Sequence, residues 1–299
     1  MLRGRLGLET ARIPHADRHG LLHLGFGNLT VENGCLRFVT AGVGELPAGD
    51  YQIPFQGISL ILLGPGTTIS HDALRLCARH NTGLVAVGDG GVRMYTAPPL
   101  SPDQSQTARA QVRLWSDING GRLLVARKMY ALRFGEILPH GDIAVLRGIE
   151  GGRVKEAYRR IAQQYGLTWD GRRYDRQNPD SDTPQNQAIN HAATAVEAAA
   201  MIAVAATGTI PALGFIHEDS GMSFTLDIAD LVRTEVTVPI AFAAVKAQAA
   251  TPDIPLERVV RRTANRVFRE RKLIPTLIDH IHALLDVPAG SPPPRPAGA

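Results

Sequence analysis

The apolar pattern of this chain changes period once, and that change constrains what it can fold into. Between residues 20 and 96, apolar and polar side chains alternate in short runs broken by glycine turns, the signature of strands. From residue 108 to 286 the apolar positions recur every three or four residues, the signature of helices with one buried stripe. Between them lies APPLSPDQSQT (97–107), proline-rich and polar, with the composition of a linker. Strands followed by helices predict an α+β chain of two domains, a β-rich N-terminal domain over residues 1–96 and an all-α domain over residues 108–286. The last residues, 287–299, end in PAGSPPPRPAGA, a composition that stays disordered.

Within the first region, LLHLGFGNLTVENGCLRFVTAG holds two alternating runs around Glu32-Asn33-Gly34, a hairpin signal. DYQIPFQGISLILLGPG leads into a more fully buried strand, and Ser70 is placed to cap a short helix over HDALRLCARHN. LVAVGDGGVRMYTA then returns to the sheet through an Asp-Gly-Gly turn. Beyond the linker, six segments carry helical stripes. They are TARAQVRLWSDINGGRLLVARKMYALRFGEIL, IAVLRGIEGGRVKEAYRRIAQQYG, NQAINHAATAVEAAAMIAVAATG, the stretch around Asp227, VPIAFAAVKAQA and LERVVRRTANRVFRERKLIPTLIDHIHALL. GRRYDRQNPDSDTPQN is too polar for a core and reads as a loop between helices.

Composition narrows the function classes. With 299 residues, 44% hydrophobic and 20% charged, the chain is not a disordered one. Cys35 and Cys77 form no CxxC or zinc pattern, which predicts no disulfide framework and fits a reducing cytoplasm. MLRGRLGLETARIP has no apolar signal core, and the alanine-rich run is interrupted by Glu197, so the expectation is a cytoplasmic protein with no membrane span. A formal charge of +4 with arginine clusters, such as Arg258, Arg261, Arg262, Arg266 and Arg269, makes an anionic partner worth considering.

GFIHEDSGMSFTLDIADLVR (214–233) sets one histidine and two aspartates in a run that otherwise favours burial. EDSG reads as a turn, Ser223 as the cap of a helix, and Asp227 and Asp230 as neighbours on one face of it. On spacing alone, such a pair belongs to a helix start and faces water. With His217 folded over that face, the same residues offer two carboxylates and an imidazole to a divalent ion. A second acidic oddity, Glu150 in LRGIEGGRVKEAY, is by itself a helix carboxylate that would pair with Arg147 or Arg153.

LGPGTTISH, DGGVRMY, RKMYALRFGE, LRGIEGGRV, YGLTWDGRRYD, LGFIH and DIADLVR occur in that order, and together they resemble the CRISPR-associated protein one family, in the branch that accompanies type I-E interference systems. The resemblance runs from about residue 20 to about residue 285. It implies a β-rich domain before a helical catalytic one. It implies that Glu150, His217 and Asp230 bind magnesium or manganese, with Asp227 as a further catalytic acid that orients His217 or a metal-bound water. It also implies that Arg75, Arg93, Arg172, Arg173 and Tyr174 contact DNA. Phe26 stands where relatives place a tyrosine against the duplex end, and keeps the stacking face without the hydroxyl. Ser220 and Leu226 stand where relatives carry a basic residue and an aromatic one.

The function so implied is a metal-dependent DNA endonuclease and integrase. A fragment's 3′-hydroxyl attacks a phosphodiester at a CRISPR repeat boundary, exchanging one ester for another without a nucleotide triphosphate, in keeping with the absence of GxxxxGK[ST]. Carboxylates about 4 Å apart repel by roughly 4 kcal/mol at an effective dielectric of 20, so a cluster of them needs a counter-charge, which a divalent ion supplies. The partners implied are double-stranded DNA, a second copy of the chain and CRISPR-associated protein two. Hydrolysis at the same site and a non-catalytic DNA-binding scaffold are the competing readings.

Overall fold

The computed structural model describes residues 20–42, 46–80, 82–96, 106–136, 142–172 and 183–287. Its first part holds two four-stranded sheets. The first joins β1 (Gly20–Leu24), β5 (Ile58–Leu63), β7 (Gly83–Val87) and β8 (Met94–Thr96) in that order, with β1, β5 and β7 mutually parallel. The second runs β4 (Gly49–Ile53), β3 (Cys35–Thr40), β2 (Gly27–Glu32) and β6 (Thr67–Ile69). Helix α1 (His71–Arg79) links β6 to β7, and the Ser70 hydroxyl caps it by accepting from Ala73 N at 3.2 Å.

The hairpin forms at Asn33-Gly34, both with positive φ, so β2 and β3 pair through the two-residue turn that matches strand twist. The run before it is split. β1 joins one sheet and β2 the other, and the chain crosses at Gly25–Gly27, where Gly27 has no room for a side chain. A Cβ on Gly27 would lie 2.5 Å from the Val39 carbonyl and 2.7 Å from the Phe38 ring.

A parallel sheet needs cover on both faces, and here the cover comes from two sources. Leu60, Leu62, Val85 and Val87 belong to the large helical core, whereas Ile61 and Leu84, pointing the other way, join Leu29, Leu36 and Phe38 beneath the second sheet. The strand-rich part therefore shares a core with the helices instead of standing apart.

The helical part comprises α2 (Gln106–Ser116), α3 (Gly121–Phe134), α4 (Ile143–Tyr165), α5 (Pro184–Thr207), α6 (Ser223–Leu231), α7 (Val238–Gln248), α8 (Leu256–Glu270) and α9 (Leu273–Leu284). Two of the six expected segments break in two. Between α2 and α3 the Asp117 carboxylate accepts from Asn119 N and Gly120 takes φ of 105°, ending the periodic run. Between α8 and α9, Lys272 adopts left-handed φ and Pro275 follows within the first turn of α9. Gln106 and Thr107, expected in the linker, are already helical, and Val287, expected in the tail, is buried. The remainder of the linker (97–105) and of the tail (288–299) lies outside the described residues.

Helix α5 is long and apolar enough to cross a membrane, but 61% of its most apolar stretch is buried inside the fold, with Ile189, Val196 and Ile202 fully enclosed. It is the central core helix, with α6, α7, α8 and α9 packed around it.

Candidate functional site

Asp227 lies inside the protein, 1% exposed, on the second turn of α6. Helix α6 begins at Ser223 itself, after Met222, so Ser223 is not its cap. Its hydroxyl instead closes the preceding turn by accepting from Ser220 N and donating to Ser220 O. The two aspartates consequently miss the helix start, where the dipole would favour them. Asp230 sits next to the C-terminal end, where the dipole disfavours a carboxylate, and Arg233 supplies the balancing charge through Asp230 Oδ1.

The buried Asp227 carboxylate wraps the preceding segment around itself. Oδ2 accepts from Phe215 N at 2.6 Å and Ile216 N at 3.1 Å, and Oδ1 accepts from His217 N at 3.0 Å and lies 2.7 Å from His217 Nδ1. A carboxylate can only accept, so the imidazole proton sits on Nδ1 and the lone pair falls to Nε2 on the far edge of the ring. The hydrogen bond to Asp227 raises the His217 pKa, with Asp227 and Asp230 charge adding to it, while burial and Arg147 oppose the shift.

The carbonyls of the same segment are taken by side chains from three other helices. Gln111 Nε2 donates to Ile210 O and Leu213 O, and Trp115 Nε1 to Gly214 O at 3.0 Å. Arg122 Nε donates to Phe215 O at 2.9 Å, and Arg147 to Ile216 O. Arg122 also pairs with Glu218, just after His217. With both edges of its backbone occupied, the loop presenting His217 is held by bonds rather than by its own secondary structure.

Glu150 projects from α4 to a different set of partners. Tyr130 Oη donates to Glu150 Oε2 at 2.9 Å and Arg133 pairs with Oε1, both from α3. The expected partners are engaged elsewhere, Arg147 with Ile216 O and Arg153 with Glu136. Burial first, then the neighbouring Glu150 charge, raises the Tyr130 pKa, so the phenol stays a donor. Glu197 on α5 feels Asp230 and Arg233 as well, and burial raises its pKa.

The structure thus places His217 and Asp227 in contact and Asp230 within electrostatic reach of His217, with Glu150 on α4. The Glu150 and Asp230 carboxylates and the His217 imidazole, with Nε2 left as an acceptor, are donors of the kind that suit magnesium or manganese. As folded, arginines supply the counter-charge, and no three His, Cys, Asp or Glu among the described residues are gathered as ion ligands.

The candidate DNA contacts fall in separate places. Arg75 is exposed on α1 and pairs with Asp72. Arg93 pairs with Glu257 of α8, and with Arg261 it lowers the pKa of His191 on α5, where burial is the larger cause. Arg172 bonds the Asn186 and Asn190 side chains on α5. Phe26 is 47% exposed at the crossing between the sheets. Arg173 and Tyr174 lie outside the described residues.

Gln111, Trp115, Arg122, Tyr130, Arg133 and Arg233 were not singled out from the sequence. Tyr130 and Arg133 had a signal, being three apart on one face of α3. Arg233 had one too, three residues from Asp230, whereas Gln111, Trp115 and Arg122 reach the loop across 93 to 102 residues, where no local spacing points to them.

The relatives of this chain are named as endonucleases, and one of the solved structures that share its fold is a DNA complex. CRISPR-associated endonuclease Cas1 of Escherichia coli (strain K12) is 36% identical over 289 residues, covering 96% of this chain and 91% of that protein. CRISPR-associated endonuclease Cas1 3 of Methanospirillum hungatei JF-1 is 37% identical, covering 95% and 92%. Among solved structures, a TtCas1–DNA complex superposes with a TM-score of 0.79 at 32% identity, covering 89% of this chain and 96% of that one. A casposase bound to an integration product shares the fold, with a TM-score of 0.60 at 16% identity. No family model matches. The chain belongs to the CRISPR-associated endonuclease Cas1 family, and its likeness to the E. coli member fits the type I-E branch.

Proposed function

We propose that this protein is a metal-dependent DNA integrase of CRISPR adaptation, joining the 3′-hydroxyl of an incoming fragment to a phosphodiester at the edge of a repeat. Glu150, His217 and Asp230 would hold a magnesium or manganese ion. When bound there, the ion supplies positive charge and Lewis acidity for the phosphodiester. The observation that carries the reading is the Asp227 clasp, which fixes the His217 tautomer and ring at the cost of burying a carboxylate.

The chain's own residues do the rest. Asp227 keeps the Nδ1 proton in place and leaves Nε2 as a donor of electrons. Tyr130 and Arg133 hold the Glu150 carboxylate, and Arg233 holds Asp230, which keeps in place the acids that would ligate the ion. In the joining step a new P–O bond forms to the 3′-oxygen as the bond to the repeat's 3′-oxygen breaks, so the ester count is unchanged. Arg75, Arg93, Arg172 and Arg173 would contact phosphates, which position DNA without reading its sequence, with Phe26 and Tyr174 as stacking faces. A homodimer working with CRISPR-associated protein two completes the proposal.

Incubation with that partner, a short duplex and a repeat-bearing plasmid in manganese tests it. Strand-joined product that disappears in Glu150→Ala, His217→Ala and Asp230→Ala, with duplex binding retained, supports the reading. Nicking without joining points to hydrolysis, and full activity in all three variants removes the catalytic assignment.

A further inference from the structure

Glu197 is the only Asp, Glu, Lys or Arg in α5, and the helix positions beside it, Val196, Ala198, Ala199 and Ala200, are buried. Carboxylates seldom occupy a core helix unless they are paired. Glu197 is half-buried, yet it makes no hydrogen bond or ion pair among the described residues. The charges that act on it are those of Arg233 and Asp230.

Arg233 therefore stands between two acids. Its Nε donates to Asp230 Oδ1 at 2.8 Å, and a second guanidinium nitrogen donates to the same oxygen. Both bonds fall on Oδ1, so the fork does not engage the carboxylate with one bond to each oxygen, as the strongest pairs do. Tyr158 of α4 is a further polar neighbour of Arg233. The backbone beneath Arg233 is irregular. A π-helical turn, Arg233–Thr237, joins α6 to α7, and Val238 N donates five residues back to Arg233 O. Pro239 follows with no N–H to give, and Arg271 supplies Glu235 O instead, at 2.9 Å. Both α6 and this turn pack on α5, which brings the two acids to one guanidinium.

An arginine fixed on a candidate ligand competes with a cation for it. A guanidinium drawn off a partly buried acid is left without its counter-charge unless a second acid is at hand. Glu197 is that second acid. We infer that Glu197 is a positioning residue for Asp230: it receives the Arg233 guanidinium, which frees Asp230 to act as a ligand without stranding a charge. The inference rests on the metal-binding reading above and concerns where Arg233 sits. Glu197 itself supplies no ligand atom.

Manganese alone is the probe. Its affinity is read by electron paramagnetic resonance for wild type, Glu197→Gln, Arg233→Met and the double variant, with folding of each verified by thermal unfolding. Loss of the second acceptor should weaken manganese binding about tenfold in Glu197→Gln. In the Arg233→Met background there is no guanidinium to receive, so the same change should alter affinity by less than about twofold. An equal loss in both backgrounds would mean that Glu197 acts on the ion itself and would overturn the inference, as would no loss in either. A manganese-soaked crystal of wild type gives a reading that needs no variant. Arg233 within ion-pair distance of Glu197 supports the inference, whereas Arg233 still on Asp230, or Glu197 among the ligands, overturns it. Failure of wild type to bind manganese would instead remove the metal reading beneath it.

Discussion

Asp227 Oδ1 lies 2.7 Å from His217 Nδ1, and the carboxylate accepts the backbone N–H groups of Phe215, Ile216 and His217 as well. One buried side chain thus sets both the path of a loop and the tautomer of its histidine. Removing only its charge should therefore have two separable effects.

In Asp227→Asn the side chain keeps one accepting oxygen and turns an amide NH2 toward donors that need acceptors. A buried donor left unsatisfied costs about 1–3 kcal/mol, so unfolding should occur at lower denaturant with an unchanged slope. The His217 pKa should fall by NMR titration, because its largest raising cause is that bond. Turnover should drop more than substrate binding.

Glu150 and Tyr130 should separate in stability. Arg133 is 4% exposed in its side chain, and loss of Glu150 leaves that guanidinium without its carboxylate. Breaking a buried pair costs about 3–5 kcal/mol, whereas Tyr130→Phe removes one hydrogen bond worth about 1 kcal/mol. Denaturant melts of Glu150→Ala, Tyr130→Phe and Glu150→Ala with Arg133→Met should rank in that sense, the double variant recovering most of the loss. A double variant no better than Glu150→Ala would remove this account of the pair.

Stability should fall as pH drops from 7.5 to 5.5. His23, His191 and His280 have pKa values held below the ordinary value by burial, so the unfolded chain binds more protons than the folded one as pH passes below about 6.5. His217 acts oppositely, its raised pKa contributing stability below the ordinary value that is lost as pH rises through the raised one. His280 Nδ1 is buried with no hydrogen-bond partner among the described residues. His280→Leu should flatten the acid-side decline in a series of thermal melts, and an unchanged slope would count against burial as the cause.

The two thiols should react at very different rates. Cys35 is exposed at the start of β3, whereas Cys77 is buried in α1 with its pKa pushed up to about 12 by burial. A disulfide reagent should titrate one thiol in the folded protein and both after denaturation.

Local chemistry was legible in the sequence at several elements, though not at Ser223, which begins α6 instead of capping it. Asn33-Gly34 allows positive φ and makes the hairpin, Ser70 precedes an apolar stripe and caps it, and the alanine-rich stripe of α5 supplies the apolar surface of a core helix. The likeness of GFIH and DIADLVR to relatives was legible in the same way. The helix breaks at Gly120 and Lys272 were not, because apolar spacing continues across both and only the packed turn shows that the axis changes.

Chain order by itself determined the strand-to-helix division, the α5 core helix and the residue types available near His217. Tertiary structure alone decided that the sheet feeds two cores, that Asp227 is buried while Asp230 meets Arg233, and that Glu150 answers to Tyr130 and Arg133. The physical reason is range. Backbone conformation depends on neighbours a few residues away, whereas the partner of a buried charge is whichever donor the packing brings within about 3 Å, from any distance along the chain.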